Sequence, residues 1–383
     1  MPWPWTRPKD AALVSLFMGS AEFLRSGFFV GFLPLYALEV LKIPLSYVGL
    51  LTTLHYGAEA FPRVAVVWLA NRFPLGWGIA ASALVAFFSF HLFLISPTPL
   101  FPVWAVLWGL AMSPLWPRIA AFLRQLARPM YQGRAVTYGW LIIGPLIGAG
   151  SFGVGFLSKY ELELGRLALT IGSFLLLFFG FLLINFRFPQ SELRRQSADY
   201  KKFLPLLIPA FLQALAPHLL TTVLFPFLKK ENLGLAELAL PLALAGLLFL
   251  VTFRTAARYA DQRDPVLVVV LAALAAMVGF GAIGFFPAKT ASLISIPTLG
   301  AALGLFTPGW NAVVVRALPE GERGEGWAAL STASGTAFAL GPFIGALAWD
   351  LLGPQGPFRL GLFLLFLLIL YYQLYFRRLV LSG

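Results

Sequence analysis

There is no cysteine anywhere in the 383 residues. That excludes disulfides, thiolate metal sites and cysteine nucleophiles. Charge is scarce as well: 11% of the residues carry one, against about 25% in a soluble domain whose surface must face water. Histidine occurs three times, at positions too dispersed for a metal site. No phosphate-binding P-loop occurs, so ATP does not power the protein. A nucleophile elbow, a metal cluster and a hydrolytic acid–base pair are missing too, which argues against an enzyme. No cofactor is implied; a proton gradient is the expected energy source.

What the sequence does hold is apolar surface. Hydrophobic residues make up 59% and the mean hydropathy is +0.83. Crossing a bilayer takes about 20 mainly apolar residues per helix, and such stretches recur along the whole chain. The first, 11–41, is too long for the core of a cleaved signal peptide, which runs to about 15 residues.

Apolar runs between charged or Pro/Gly breaks predict twelve transmembrane helices. Six lie in a first half, at 11–38, 46–70, 76–96, 101–125, 134–158 and 164–187. Six lie in a second, at 203–228, 236–258, 264–286, 291–317, 324–350 and 357–379. The one extended polar connection, Phe188 to Lys202, divides the chain near its middle. The expected domains are therefore 1–190, a linker at 191–202, and 203–383. Nineteen Lys and Arg fall at the helix ends of one side, among them Arg72, Arg118, Arg124, Arg254 and Arg316, and seven on the other. Loops on the cytoplasmic side retain positive charge. Both termini and the linker are accordingly expected in the cytoplasm of a multi-pass cell (inner) membrane protein. The formal net charge of +12 is thus topological, with some attraction to anionic lipid; nucleic acid is not an expected partner.

The halves repeat each other. Gly109-Leu-Ala-Met-Ser-Pro-Leu-Trp116 in the fourth span is echoed by Gly304-Leu-Phe-Thr-Pro-Gly-Trp310 in the tenth. Ile143-Gly-Pro-Leu-Ile-Gly-Ala149 in the fifth is echoed 197 residues later by Leu340-Gly-Pro-Phe-Ile-Gly-Ala346 in the eleventh. Duplicated six-helix halves place a substrate site near the membrane midplane. The pattern resembles the major facilitator fold, an all-α polytopic protein of two pseudo-symmetric halves, and a monomer is expected.

An ionisable residue in mid-membrane is a functional hypothesis by default. Glu22 in the first span and Glu59 in the second stand out, with Arg25 three residues after the one and Arg63 four after the other, spacings that join side chains across a turn. His55 lies one turn before Glu59 on the same face. Desolvation favours a neutral carboxyl and a nearby arginine favours its charged form, so such a group suits proton exchange; two neutralised pairs locking the helices together is the alternative. Arg25 and Arg63 suit sugar hydroxyls or phosphate equally well. The second half has no mid-membrane carboxylate. Asp350 and Glu237 fall near outer ends, and the seventh span offers only Gln213, His218, Thr221 and Thr222. One polar and one apolar half suit an amphipathic substrate. His91 and His218 read as packed singles. Trp116 and Trp140 lie inside the first half, where flat rings pack against sugar faces or against neighbouring helices. Gly148-Ala-Gly-Ser-Phe-Gly153 satisfies a dinucleotide fingerprint, but the fingerprint needs a strand and a soluble βαβ unit; within a membrane span it reads as close helix packing.

Several of these segments resemble the lipoteichoic-acid glycolipid-anchor flippases. They are Ala21-Glu-Phe-Leu-Arg25, Phe32-Leu-Pro34, Leu54-His-Tyr-Gly-Ala-Glu59, Ser113-Pro-Leu-Trp116 and Tyr138-Gly-Trp140, followed by Trp310-Asn311, Gly324-Glu-Gly-Trp327 and Gly341-Pro-Phe-Ile-Gly345. The resemblance keeps its order over most of the chain. It implies proton-driven flipping of a diglucosyl diacylglycerol, with Glu22, Arg25, Glu59 and Arg63 in coupling or headgroup roles. It also implies that His55, Trp116 and Trp140, with Trp310 and Asn311, meet the substrate. The family carries aspartate where this chain has Glu59, and lysine where it has Arg72. A less specific resemblance is to drug–proton antiporters, through Gly144-Pro-Leu-Ile-Gly148 and the loop Leu69-Ala-Asn-Arg-Phe-Pro-Leu-Gly76, where Asn71 replaces the usual acid. The sequence-level expectation is a proton-coupled lipid flippase working by alternating access, with amphipathic-drug export as the alternative. Its expected partners are protons, membrane lipids and a glycolipid or other amphipathic substrate.

Overall fold

The computed structural model describes residues 5–62, 65–66, 69, 72–127, 132–184, 204–318 and 323–376. Every regular element among them is helical. Two compact units divide the chain, Met1–Arg194 and Arg195–Gly383; the expected linker at 191–202 lies outside the described residues.

The first unit holds α1 (Pro8–Leu41), α2 (Leu45–Ala60), α3 (Leu75–Ile95), α4 (Thr98–Gln125), α5 (Tyr138–Tyr160) and α6 (Leu162–Leu182). The second holds α7 (Leu204–His218), α8 (Leu224–Lys230), α9 (Leu235–Gln262), α10 (Pro265–Phe285), α11 (Ala288–Ala317), α12 (Arg323–Leu352) and α13 (Gly356–Tyr371). Local chemistry sets several of the boundaries. Asp264 caps α10 by accepting from the N–H groups of Val266 (2.9 Å) and Leu267 (3.1 Å), with Pro265 at the first helical position, where its missing N–H costs nothing. Glu237 accepts from the Gly234 N–H at 2.8 Å at the start of α9.

Among the described residues, ten helices are long and apolar enough to cross a membrane. The two expected spans that fall short are the second and the seventh. The second is helical from Leu45 to Ala60, turns at Phe61, and is described only in part beyond Pro62. The seventh is two helices rather than one. Pro217 lacks an N–H and its ring crowds the carbonyl four residues back. The chain then tightens into three-residue turns, Leu220 to Pro217, Thr221 to His218 and Val223 to Leu220, before α8 resumes.

The first repeat meets the same place differently. Pro34 and Pro226 lie 192 residues apart, and counting back from them sets the break at 219–223 against 27–31 of α1. There α1 stays helical but widens into a π-helix, Gly27–Phe32. A Cβ on Gly31 would lie 2.7 Å from the backbone nitrogen of Gly155 in α5, so the widened turn sits at a close approach of the two backbones. Both segments then end on a left-handed residue, Lys42 (φ 56°) and Asn232 (φ 53°).

The core of the first unit is aromatic. Phe28 of α1 lies within 6 Å of Phe29, Phe90, Phe93 and Trp108 by ring centroid, at 5.1, 5.7, 5.0 and 5.6 Å. This cluster locks α1 against α3 and α4 and so fixes which face of α1 carries Glu22 and Arg25. Of the fingerprint glycines, a Cβ on Gly150 would fall 2.4 Å from the Phe23 carbonyl oxygen, whereas Gly148 and Gly153 have nothing within 4 Å. Close packing thus explains one glycine of the three.

Candidate functional site

Glu22, on the inward face of α1, has a side chain 1% exposed, and Arg25 one turn later is 12% exposed. Arg25 donates from Nε to Glu22 Oε2 at 3.0 Å and from Nη2 to the same oxygen. Its Nη1 donates to Glu59 Oε2 on α2 at 2.6 Å. The spacing predicts one arginine for each carboxylate within each helix; among the described residues, the Arg25 guanidinium also bridges the two helices. Its rigid fork of five donors makes that geometry available. Arg63, the expected partner of Glu59, lies outside the described residues.

Tyr56 supplies a ring beneath the bridge, with the Arg25 guanidinium carbon 4.9 Å from its centroid, a cation–π contact. Sequence reasoning missed this residue. The signal was present: Tyr56 stands three before Glu59 on one helical face.

The other carboxylate oxygen of Glu22 accepts from Trp116 Nε1 at 2.8 Å. Trp116 in turn stacks on Trp140 of α5, with centroids 4.7 Å apart and planes at 19°. The turn at Ser113-Pro114 within α4 sets Trp116 beside α1. Trp140 is 47% exposed, so the pair runs from the buried carboxylate to an open edge.

His55 is placed elsewhere. Its spacing sets it on the face of Glu59, yet the side chain is fully buried, with its ring centroid 4.5 Å from Phe29 and 5.6 Å from Trp108. Nδ1 lies 3.3 Å from the Ala105 carbonyl oxygen; since a carbonyl only accepts, this contact assigns the proton to Nδ1. Nε2 has no partner. The histidine sits in the aromatic core and borders the Arg25 cluster through Tyr56, whose ring centroid lies 5.3 Å from its own. Its neighbours Phe29 and Trp108 offer more apolar contact than the cluster could.

Chemically, two carboxylates share one guanidinium. Burial favours the neutral form of a carboxyl and a paired guanidinium its charged form, and a carboxylate held between the two suits proton exchange.

The second unit carries a cavity of about 490 Å³ among α7, α10, α11, α12 and α13. Phe280, Leu303, Phe306, Trp310 and Phe338 dominate its wall, and its polar side chains are Gln213, His218 and Ser334 together with the Trp310 ring N–H. Trp310 is 8% exposed and lies nearly parallel to Phe306, centroids 6.4 Å apart. Asn311, its neighbour in sequence, is exposed and does not line this cavity. His218 stacks on Phe338 at 4.1 Å, and its Nδ1 donates to the Ala214 carbonyl at 2.8 Å. Counting 192 residues on from Glu22 and Arg25 gives Ala214 and Pro217. Both line this cavity, as does Trp310, the repeat counterpart of Trp116. The same place in the two repeats is thus charged in one and apolar in the other.

Residues 15–299 match the sequence profile described as Major Facilitator Superfamily. The chain belongs to that family. It is a multi-pass membrane transporter of the secondary class, in a family of transporters rather than enzymes. A crystal structure of a single-residue variant of the nucleoside transporter NupG superposes with a TM-score of 0.74 at 13% identity, covering 95% of this chain and 99% of that one. A bacterial homolog of the human lysosomal transporter Spinster, inward-facing and unoccupied, gives a TM-score of 0.74 at 12% identity, covering 98% of each chain. No curated protein matches the sequence. At these identities the likeness is one of fold, and the facilitator architecture is what it establishes.

Proposed function

We propose that this facilitator flips a glycolipid between membrane leaflets by alternating access, coupled to protons. The observation that carries the reading is the chemical contrast between repeat-related places. The first unit offers carboxylate acceptors, guanidinium donors and the Trp116–Trp140 face, which suit sugar hydroxyls and sugar rings. The second offers an apolar cavity of about 490 Å³, which suits acyl chains. Glu22, Arg25 and Glu59 form the coupling group, and Trp116 and Trp140 the headgroup platform. Trp310 meets hydrocarbon, and the placements of His55 and Asn311 leave them supporting roles at most. The resemblance of Ala21–Arg25 and Leu54–Glu59 to glycolipid-anchor flippases supports the same cargo class. Its proposed setting is the cell membrane, with both termini in the cytoplasm.

Fold fixes class and leaves cargo to the site. Drug–proton antiport is therefore the second reading, favoured by Gly144-Pro-Leu-Ile-Gly148 and by the apolar cavity. Leaflet exchange of a fluorescent diglucosyl lipid in proteoliposomes, with and without a pH gradient, separates the two. The wild type runs beside Glu59→Gln, with a hydrophobic cationic dye as competitor. Gradient-dependent exchange that is lost in the variant and indifferent to dye supports flipping. Dye transport without lipid exchange would overturn it.

A further inference from the structure

A second groove lies on the first unit, separate in residues from the Arg25 cluster. It measures about 390 Å³ and is lined by Trp77, Ala81 and Val85 of α3 with Ala111 and Pro114 of α4, and by Val66, Leu69 and Phe73 of the stretch between α2 and α3. The Ser82 hydroxyl donates to the Ala111 carbonyl at 2.7 Å and ties the two helices along its floor. One turn beyond Pro114 stands Arg118, only 9% exposed. Its Nη2 donates to the Phe73 carbonyl at 3.1 Å, and a Cβ on Gly78 would lie 2.8 Å from its Nη1. The guanidinium therefore rests on backbone at the end of the groove, in room that only glycine leaves.

A carbonyl is a dipole and leaves the cation's full charge in place. No Asp or Glu occurs between Glu59 and Glu161. Among the described carboxylates of this unit, Asp10 pairs with Arg7, Glu22 and Glu59 with Arg25, and Glu163 with Arg166, while Glu39 and Glu161 stand at the far ends of α1 and α5. Arg316, near the same end of α11, also donates to carbonyls, of Arg263 (2.9 Å) and Ala260 (2.8 Å). Its loop, however, contains Asp261 and Asp264. Among the described residues, Arg118 combines burial, an acid-free stretch of sequence and an adjoining apolar groove, whereas Arg316 is exposed.

Among the described residues no carboxylate pairs with Arg118, and a buried cation is strongly disfavoured without a counter-charge. We propose that an anionic phospholipid of the surrounding bilayer supplies the counter-charge: its phosphate engages Arg118 and one acyl chain lies in the groove between α3 and α4. A guanidinium fork matches phosphate geometry. Trp77, 60% exposed, stands at the mouth as an interfacial aromatic, and the lipid belongs to the leaflet on the arginine-rich side. This site is independent of the transported cargo.

The test is native mass spectrometry of the full chain in detergent, offered phosphatidylglycerol and phosphatidylcholine of identical acyl chains at equal concentration. The wild type is expected to retain phosphatidylglycerol about fivefold over phosphatidylcholine, the ratio given by about 1 kcal/mol per basic residue near an anionic surface. Arg118→Gln should bring the ratio close to one. Ala81→Phe fills the groove, keeps the arginine and should also lower phosphatidylglycerol retention, so it decides the matter should Arg118→Gln not fold. Inorganic phosphate, which fits the arginine but not the groove, should fail to displace the lipid. No preference in the wild type, an undiminished preference in either variant, or displacement by phosphate overturns the proposal.

Discussion

Arg25 holds three partners at once, and each was legible to a different degree. The (i, i+3) spacing gave Glu22 directly. Glu59 was visible as a mid-membrane carboxylate, but its link to Arg25 was not, because spacing reports neighbours within one helix and nothing across two. Tyr56 was hidden by its ordinariness: an aromatic in an apolar span carries no signal until a cation is placed over it. His55 shows how far one helical face extends, since it meets both Tyr56 of the cluster and the Phe29–Trp108 core. The Trp116 N–H to Glu22 is testable in isolation, because Trp116→Phe keeps a ring on Trp140 and removes the donor. A hydrogen bond to a charged group contributes about 1.5–3 kcal/mol. Thermal unfolding of Trp116→Phe, Glu22→Gln and the double variant should therefore be non-additive, with a coupling of about 1 kcal/mol or more. Additive shifts would mean that the charge of Glu22 adds nothing to the contact, since a glutamine oxygen still accepts from Trp116.

At the level of elements, hydropathy and loop chemistry placed the spans well, and the break in the seventh span escaped them. The reason is that Leu219-Leu220 and Val223-Leu224 keep the run apolar, so the window sees one span where Pro217 and tight turns make two helices. The repeat motif hides a second difference. Gly345 of α12 abuts the break, where an added Cβ would lie 1.9 Å from the Leu219 carbonyl oxygen, while its counterpart Gly148 has nothing within 4 Å. Gly345→Ala should destabilise the purified protein by about 1–3 kcal/mol, as overpacking does. Gly148→Ala should stay within about 0.5 kcal/mol of wild type, as a substitution away from tight packing does. Equal melting shifts for the two would contradict this account of the break.

For the whole molecule, the two-unit division was readable from the repeats and the family from the pattern of spans. Cargo was less so, because an apolar wall looks the same in sequence whether it packs, faces lipid or encloses a cavity. Orientation rests on the count of basic residues and has a direct check, since the absence of cysteine leaves no background labelling. Thr290→Cys, at the exposed start of α11, should react with a membrane-impermeant maleimide on intact cells. Gln262→Cys, exposed at the end of α9, should react only after permeabilisation. The reverse pattern would invert the assigned topology.

The apolar cavity of the second unit has a consequence for how such a protein diversifies. One methylene more or less in a hydrophobic pocket alters discrimination by only about 1–3 kcal/mol, whereas an unmatched polar group in a site built for hydrogen bonds is rejected far more strongly. Under the proposed function, tails of many lengths pass the second unit with little selection, and the choice of cargo rests on a handful of side chains around Arg25. New specificities would then arise by exchanging a few residues in α1, α2, α4 and α5, while the second unit serves as an unselective partner that descendants inherit unchanged.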